Sequence, residues 1–232
     1  MDIKLLKTAF IKTLPIMAGY MVLGIGFGIL LKVNGYGVWW ALVMSVFIYA
    51  GSMQFVGISL ISGGASIIST ALTTLMVNAR HLFYGISMIQ RYKGAGLKKA
   101  YLMFALTDET YSLVCNGDYP EGADPHEYYF LVSLLDQIYW VTGSVLGSLI
   151  GSVITFNTEG IDFAMTALFV TVFVDQWITT REHRPALIGV GASVLCLLLF
   201  GRENFLIPAM IAITVLLTVF RGSLERGGVA SE

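Results

Sequence analysis

Apolar residues run through this chain in long continuous stretches, with no strict alternation and little sign of a charged opposite face. Eight passages stand out: Leu14 to Leu31, Val38 to Ser62, Ala65 to Gln90, Ala100 to Gly117, Tyr128 to Val153, Asp162 to Thr180, Pro185 to Gly201 and Asn204 to Phe220. Each is close to the roughly 20 residues that cross a hydrocarbon core of about 30 Å. They are too long and too uniformly apolar for the short alternating strands of a closed barrel. The pattern therefore predicts an all-α, polytopic integral membrane helical bundle. Because the passages nearly tile the chain, it reads as a single transmembrane domain over residues 1–232.

Loop charge tests how these passages are threaded, since cytoplasmic loops accumulate Lys and Arg. Eight simple crossings divide the loop cations 7 to 6, with Lys4, Lys7, Lys12, Arg181, Arg184, Arg221 and Arg226 on one side and Lys32, Arg91, Lys93, Lys98, Lys99 and Arg202 on the other. That is no bias. If one passage between Val38 and Gln90, and also Tyr128 to Val153, enter and leave on the same side, the division becomes 11 to 2. Both stretches are interrupted by small residues: Tyr49-Ala50-Gly51-Ser52 in the first, and Gly143, Gly147 and Gly151 in the second. The sequence thus predicts six full crossings plus two discontinuous or re-entrant elements, one per half, with eight simple helices as the alternative. On this threading the basic linker Arg91 to Lys99 is cytoplasmic and the acidic linker Asn116 to Glu127 is external. Backbone interrupted at membrane depth must be buried in protein or line a wet cavity, which marks a transport site.

Composition sharpens this picture. Apolar residues make up 56% of the chain and charged residues 12%, too few charges to build a soluble surface. A net charge of −1 gives no hint of a nucleic-acid partner. Cys115 and Cys196 both fall in apolar stretches and read as small hydrophobes, not as a disulfide or a thiolate site. His81, His126 and His183 are scattered, so no metal or other cofactor is expected, and no hydrolase, zincin or phosphate-loop motif indicates an enzyme. The N-terminal apolar run shows no small-residue cleavage site and is expected to be retained.

Charges inside apolar passages carry the chemistry, because each costs at least about 2.5 to 3.5 kcal/mol at mid-bilayer. They are Arg80 with His81, Asp108 with Glu109, Asp136 and Asp175. One arginine and one histidine cannot neutralise four acids, so at least one acid is protonated, bridged through water or placed near an interface. A continuous helix over Ala65 to Gln90 would stack Thr70, Thr74, Asn78, His81 and Gly85 into a polar stripe beside Arg80. On a helix over Ala100 to Gly117, Asp108 would share a face with Phe104 and Tyr111, and Glu109 with Ala105 and Ser112. The proton-coupling candidates are Asp108, Glu109, Arg80, His81 and Asp136; the alternative makes Arg80 and one acid a fixed structural pair. Asp136-Gln137 could line a cavity or anchor at an interface, and Asp175-Gln176 reads as an anchor.

For substrate binding the candidates are Gly51, Ser52, Gln54, Thr74 and Asn78. An interrupted segment offers free N–H donors to a carboxylate, and Gln54 adds an amide; otherwise Gly51 and Ser52 merely permit close packing. Gly143, Gly147 and Gly151, each followed by Ser, recur every four residues and form a groove for a close helix contact, with a second subunit or a neighbour in the same chain equally suited. Gly24, Gly26 and Gly28 also read as packing residues.

The same residues carry a resemblance. Tyr49-Ala50-Gly51-Ser52-Met53-Gln54-Phe55-Val56, the run Leu72 to Gly85 containing Asn78-Ala79-Arg80-His81, Leu106-Thr107-Asp108-Glu109 and Gly160 to Phe169 together resemble the azaleucine-resistance (AzlC) family of branched-chain amino acid exporters. Met53 stands where the family often carries a small residue. The resemblance implies a multi-pass protein of a bacterial or archaeal cytoplasmic membrane. It also implies secondary active export of branched-chain or other small neutral amino acids, driven by the proton gradient, and a small AzlD-type membrane subunit as partner. An uncoupled channel or passive structural subunit is the competing function.

Overall fold

The computed structural model describes residues 3–153, 170, 173–174, 177–178 and 183–229, and among these the only regular elements are helices. Gly160 to Phe169, Asp175, Gln176 and Arg181 lie outside the described residues. The chain divides into two compact units, 1–164 and 165–232. Among the described residues three helices, Ile3–Val33, Pro125–Val153 and Arg184–Gly201, are long and apolar enough to cross a membrane.

The first unit is built on α1 (Ile3–Val33) and α8 (Pro125–Val153), the most extensively packed helix pair. They run parallel: Thr13 bonds Tyr139 at 3.1 Å, and further along both helices Gly151 lies against the Lys32 side chain near their ends. Between these points Gly143 backs onto Tyr20 and Met21, Gly147 onto Ile25, and Gly28 onto Ser144 and Ser148. A Cβ on Gly28 would come within 2.5 Å of Ser148 N, and one on Gly147 within 2.7 Å of Ile25 Cα. Neither helix could then keep its distance, so the small-residue face meets a neighbour in the same chain.

Two helical hairpins enter this frame from opposite ends. The end where α1 finishes is the distal one. There α2 (Val38–Phe47) leads inward and α3 (Gly51–Ser62) returns, with Ser62 Oγ 3.5 Å from Asn34 Oδ1 just beyond α1. The two arms run antiparallel: Gln54 Nε2 bonds Ser45 Oγ at 3.3 Å, and Gly57 faces Met44. At about 1.5 Å per residue, 10 and 12 residues reach about 15 and 18 Å, half of a bilayer core each. The turn at the tip holds Tyr49 at φ 42, a left-handed conformation.

From the distal end α4 (Ile67–Val77) and α5 (Ala79–Met88) traverse the unit. Ser66 caps α4 by accepting from Ser69 N at 3.2 Å. At the proximal end Met88 and Tyr92 join Leu5, Ala9, Tyr128 and Tyr129 in one apolar core. Then α6 (Lys98–Phe104) leads inward and α7 (Asp108–Val114) returns to the same end, where Arg91 donates to the carbonyl oxygens of Val114, at 2.7 Å, and Cys115.

Several sequence expectations need correction. The expected interruption near Gly143 to Gly151 is absent: α8 is one helix of 29 residues, and the second hairpin is α6–α7. Four-residue spacing keeps those glycines on one face, and the close contact with α1 offsets their weak helix propensity. The supposed helix Ala65 to Gln90 is broken at Asn78 (φ −94, ψ 7), and Ala100 to Gly117 is broken at residues 105–107, so neither forms a continuous stripe. Nor do the basic and acidic linkers lie on opposite sides. Lys98 is paired with Glu127, Gly94 lies near His126, and Arg91 holds the end of α7. The two linkers therefore meet at one end of the first unit, through one ion pair and the Arg91 bonds to backbone carbonyls.

In the second unit the helical stretches Arg184–Asn204 and Leu206–Val229 pack on each other, the first bent at Gly201 (φ 72). A cavity of about 580 Å³ lies against it, with Trp177 stacked on His183 at 4.2 Å and Ser193 as the other polar group. None of the predicted site residues lines it.

Candidate functional site

The two hairpin tips meet midway along the first unit, with the Tyr49 and Phe104 rings 6.3 Å apart. The α3 tip is bare: Ala50 provides no side-chain cap, so the first N–H groups of α3 face outward with partial positive charge. At the other tip Thr107 caps α7 by accepting from Thr110 N at 3.2 Å, and Asp108 and Glu109 occupy the first turn, where the helix dipole favours carboxylates.

Arg80, on the first turn of α5, joins the tips. Its guanidinium pairs with Asp108 Oδ2 at 2.5 Å and donates to Ser52 Oγ at 2.8 Å. The break at Asn78 sets this turn at the depth of the tips. The side chains of Arg80 and Asp108 remain 35% and 32% exposed, so a solute can reach the pair. Among the described residues, Arg80 Nε, Asn78 Oδ1, His81 Nδ1 and Asp108 Oδ1 are buried without a hydrogen-bond partner, leaving polar atoms unused at the pair. His81 turns its ring edge toward Tyr84, 5.9 Å away.

Glu109 points elsewhere, accepting from the Tyr20 hydroxyl at 2.7 Å. Asp136 is fully buried in α8 and bonds the Thr110 hydroxyl at 2.8 Å, which places it in the interior and not at an interface. Its neighbour Gln137 accepts from Tyr101 at 2.7 Å and donates to the Val46 carbonyl at 3.1 Å, stitching both hairpins to α8.

The predicted substrate set separates. Ser52 and Asn78 sit beside Arg80. Gln54 does not: it is fully buried, donating to Ser45 and accepting from Trp140 Nε1 at 2.8 Å, which ties α2 and α3 to α8. A Cβ on Gly51 would lie 3.1 Å from the Trp140 ring, so its smallness serves that contact. Thr74 donates back to the Thr70 carbonyl at 2.7 Å. Sequence reasoning missed Tyr20, Thr107 and Thr110. Thr107 had a readable signal, a capping residue directly before two acids. Tyr20 had none, because it reaches Glu109 across 89 positions.

Comparison with known proteins identifies what this arrangement belongs to. Residues 15–154, which span both hairpins and their frame, match the family described as AzlC protein. The branched-chain amino acid transport protein AzlC of Bacillus subtilis is 46% identical over 224 residues, covering 97% of this chain and 88% of that one. A Helicobacter pylori protein named only as an uncharacterized membrane protein is 43% identical, covering 96% of this chain and 98% of its own. Another so named, from Haemophilus influenzae, is 41% identical, covering 94% and 90%. No solved structure matches.

Proposed function

The chain belongs to the AzlC protein family, and from that membership we propose that it is the large subunit of a secondary active exporter. Its substrates are branched-chain or other small neutral amino acids, and a small AzlD-type membrane subunit completes the exporter in a bacterial or archaeal cytoplasmic membrane. The observation that carries this reading is the Arg80–Asp108 pair held open between the two hairpin tips. An amino acid is a zwitterion. Its carboxylate suits Arg80, Ser52 and the bare start of α3; its ammonium suits Asp108. Binding then exchanges one internal ion pair for two across the ligand, so the charges stay compensated at membrane depth.

Opposed hairpins meeting at mid-depth are an arrangement that transporters use for alternating access. Lys4, Lys7, Lys12, Arg91, Lys93, Lys98 and Lys99 fall toward the proximal end of the first unit and Lys32 at the distal end, which makes the proximal end cytoplasmic under the loop-charge rule. The acidic linker does not count against this, since the rule concerns cations. Asp108, Glu109 and Asp136 outnumber Arg80, and this excess is the basis for proton coupling, with Glu109 and Asp136 exchanging the proton while Arg80 and His81 set the field around Asp108 and Glu109.

The test is leucine efflux from proteoliposomes carrying the chain with its small subunit. Acidifying the exterior is expected to accelerate efflux, and Asp108→Asn to suppress it. Leucine flux no greater than that of protein-free vesicles would overturn the transport reading. Flux indifferent to the gradient would leave an uncoupled channel.

A further inference from the structure

Four hydrogen bonds run in series through the buried centre of the first unit. Glu109 Oε2 meets the Tyr20 hydroxyl at 2.7 Å, and Tyr20 meets Thr107 Oγ1 at 2.7 Å. Thr107 Oγ1 meets Thr110 Oγ1 at 3.1 Å, and Thr110 meets Asp136 Oδ2 at 2.8 Å. Tyr20, Thr107, Thr110 and Asp136 are all buried, whereas Glu109 is half-buried at the open end. We propose that Tyr20, Thr107 and Thr110 are a relay that passes a single proton between Glu109 and Asp136.

Counting protons carries the argument. Three hydroxyl groups supply three hydrogens for four links, so the fourth must come from a carboxyl group. With both acids ionised, one link has two oxygens facing each other with no hydrogen between them. With one acid protonated, every link is a proper hydrogen bond. The chain then has two arrangements. In the first, Asp136 donates to Thr110, Thr110 to Thr107, Thr107 to Tyr20, and Tyr20 to ionised Glu109. In the second, every bond is reversed: Glu109 carries the proton and Asp136 is ionised. Passing between them, each hydroxyl gives one proton and takes one. No bond to carbon changes and no hydroxyl is left charged. Thr107 Oγ1 also accepts from Thr110 N, which a hydroxyl oxygen with two lone pairs allows.

The surroundings keep the proton on this track. Tyr49 from the first tip, Tyr101 from α6 and Tyr139 from α8 face Asp136 and bring no positive charge. Arg80 and His81 on α5 lie toward Asp108 and Glu109, and the Arg80 charge is engaged by Asp108. Among the described residues Asp136 Oδ1 has no hydrogen-bond partner, and the side chain is held by Thr110.

The relay rests on the proton-coupled reading above, and the experiment separates the two. The complex in proteoliposomes is assayed for leucine counterflow at equal pH and for efflux driven by an acid exterior. Tyr20→Phe and Thr110→Val are expected to lose gradient-driven efflux by at least about tenfold, a modest share of what a positioned proton-transfer group contributes, while counterflow continues; Thr110→Ser, which keeps the hydroxyl, retains gradient-driven efflux. Retained gradient-driven efflux in both variants, or equal loss of counterflow, overturns the relay while leaving coupling intact. A wild-type protein indifferent to the gradient overturns the coupling reading instead. The relay is then judged by infrared spectroscopy of the purified complex. One protonated buried carboxyl, abolished in the double variant Glu109→Gln, Asp136→Asn, supports it, and no such band in the wild type overturns it.

Discussion

The two hairpins share a backbone device and differ in what their tips present. In α2–α3 the turn ends on an uncapped helix start, and its polar residue Gln54 is used internally, between Ser45 and Trp140. In α6–α7 the turn ends on a capped helix start carrying two acids. One tip is therefore electropositive and rigidly tied; the other is electronegative and linked to α1 and α8 through hydroxyl groups. Arg80 sits where the two fields meet. The contrast shows that a helix break fixes where chemistry occurs, while the capping residues decide its sign.

Both tips depend on the α1–α8 frame, so the largest effect should come from spoiling that seam. Gly147→Val places a side chain into the Ile25 backbone and is expected to prevent accumulation of folded protein, whereas Gly26→Ala, with nothing within 4 Å, should be neutral or stabilise by up to about 1 kcal/mol. Expression and thermal unfolding of the two variants check this.

Arg80→Gln removes the cation between the tips. Leucine efflux is expected to fall at least about tenfold, equivalent to about 1.4 kcal/mol. If Arg80→Lys, which keeps the charge beside Asp108, restores stability but not efflux, the guanidinium acts on substrate and does not merely balance a charge.

Next in size is Gln54→Leu, which strands the Trp140 N–H in a dry site and should destabilise the first hairpin by about 1 to 3 kcal/mol. Thermal stability should drop while the leucine concentration for half-maximal efflux stays constant; a selective change in that concentration would return Gln54 to the substrate site. Thr107→Ala removes the cap of the second tip, for about 1 kcal/mol, and Thr107→Ser should recover most of it.

The smallest effect belongs to the linkers. Lys98 and Glu127 are each about a third exposed, so Lys98→Ala should cost well under 1 kcal/mol. Lys98→Cys with Glu127→Cys should be joined by a bifunctional maleimide whose span matches a Lys–Glu pair. Failure to cross-link would separate the two linkers and undo the placement of both arms of α6–α7 at one end.

Much of the site was legible because its chemistry is local. Buried charge stands out in an apolar chain wherever it folds, so Arg80, Asp108, Glu109 and Asp136 were found without coordinates. The break at Tyr49 to Ser52 was legible for a similar reason, since small residues cluster there. The break at 105–107 was hidden because an apolar run can continue through a turn without changing composition. Glycines misled in α8, where their four-residue spacing belongs to an intact helix in close contact.

The sequence by itself determined that the chain is helical, that its apolar passages are of bilayer length even where the helices within them are shorter, and which few polar side chains must find partners inside. Those are properties of short windows, set by apolar length, spacing and the cost of buried charge. Only the tertiary structure decided that Arg80 takes Asp108 and leaves Glu109 to Tyr20, that Gln54 serves Trp140, and that the acidic and basic linkers share one end. Each of these choices joins residues 28 to 89 positions apart. A lone polar group in an apolar interior has several acceptable partners in the sequence, and packing brings only one of them within bonding distance.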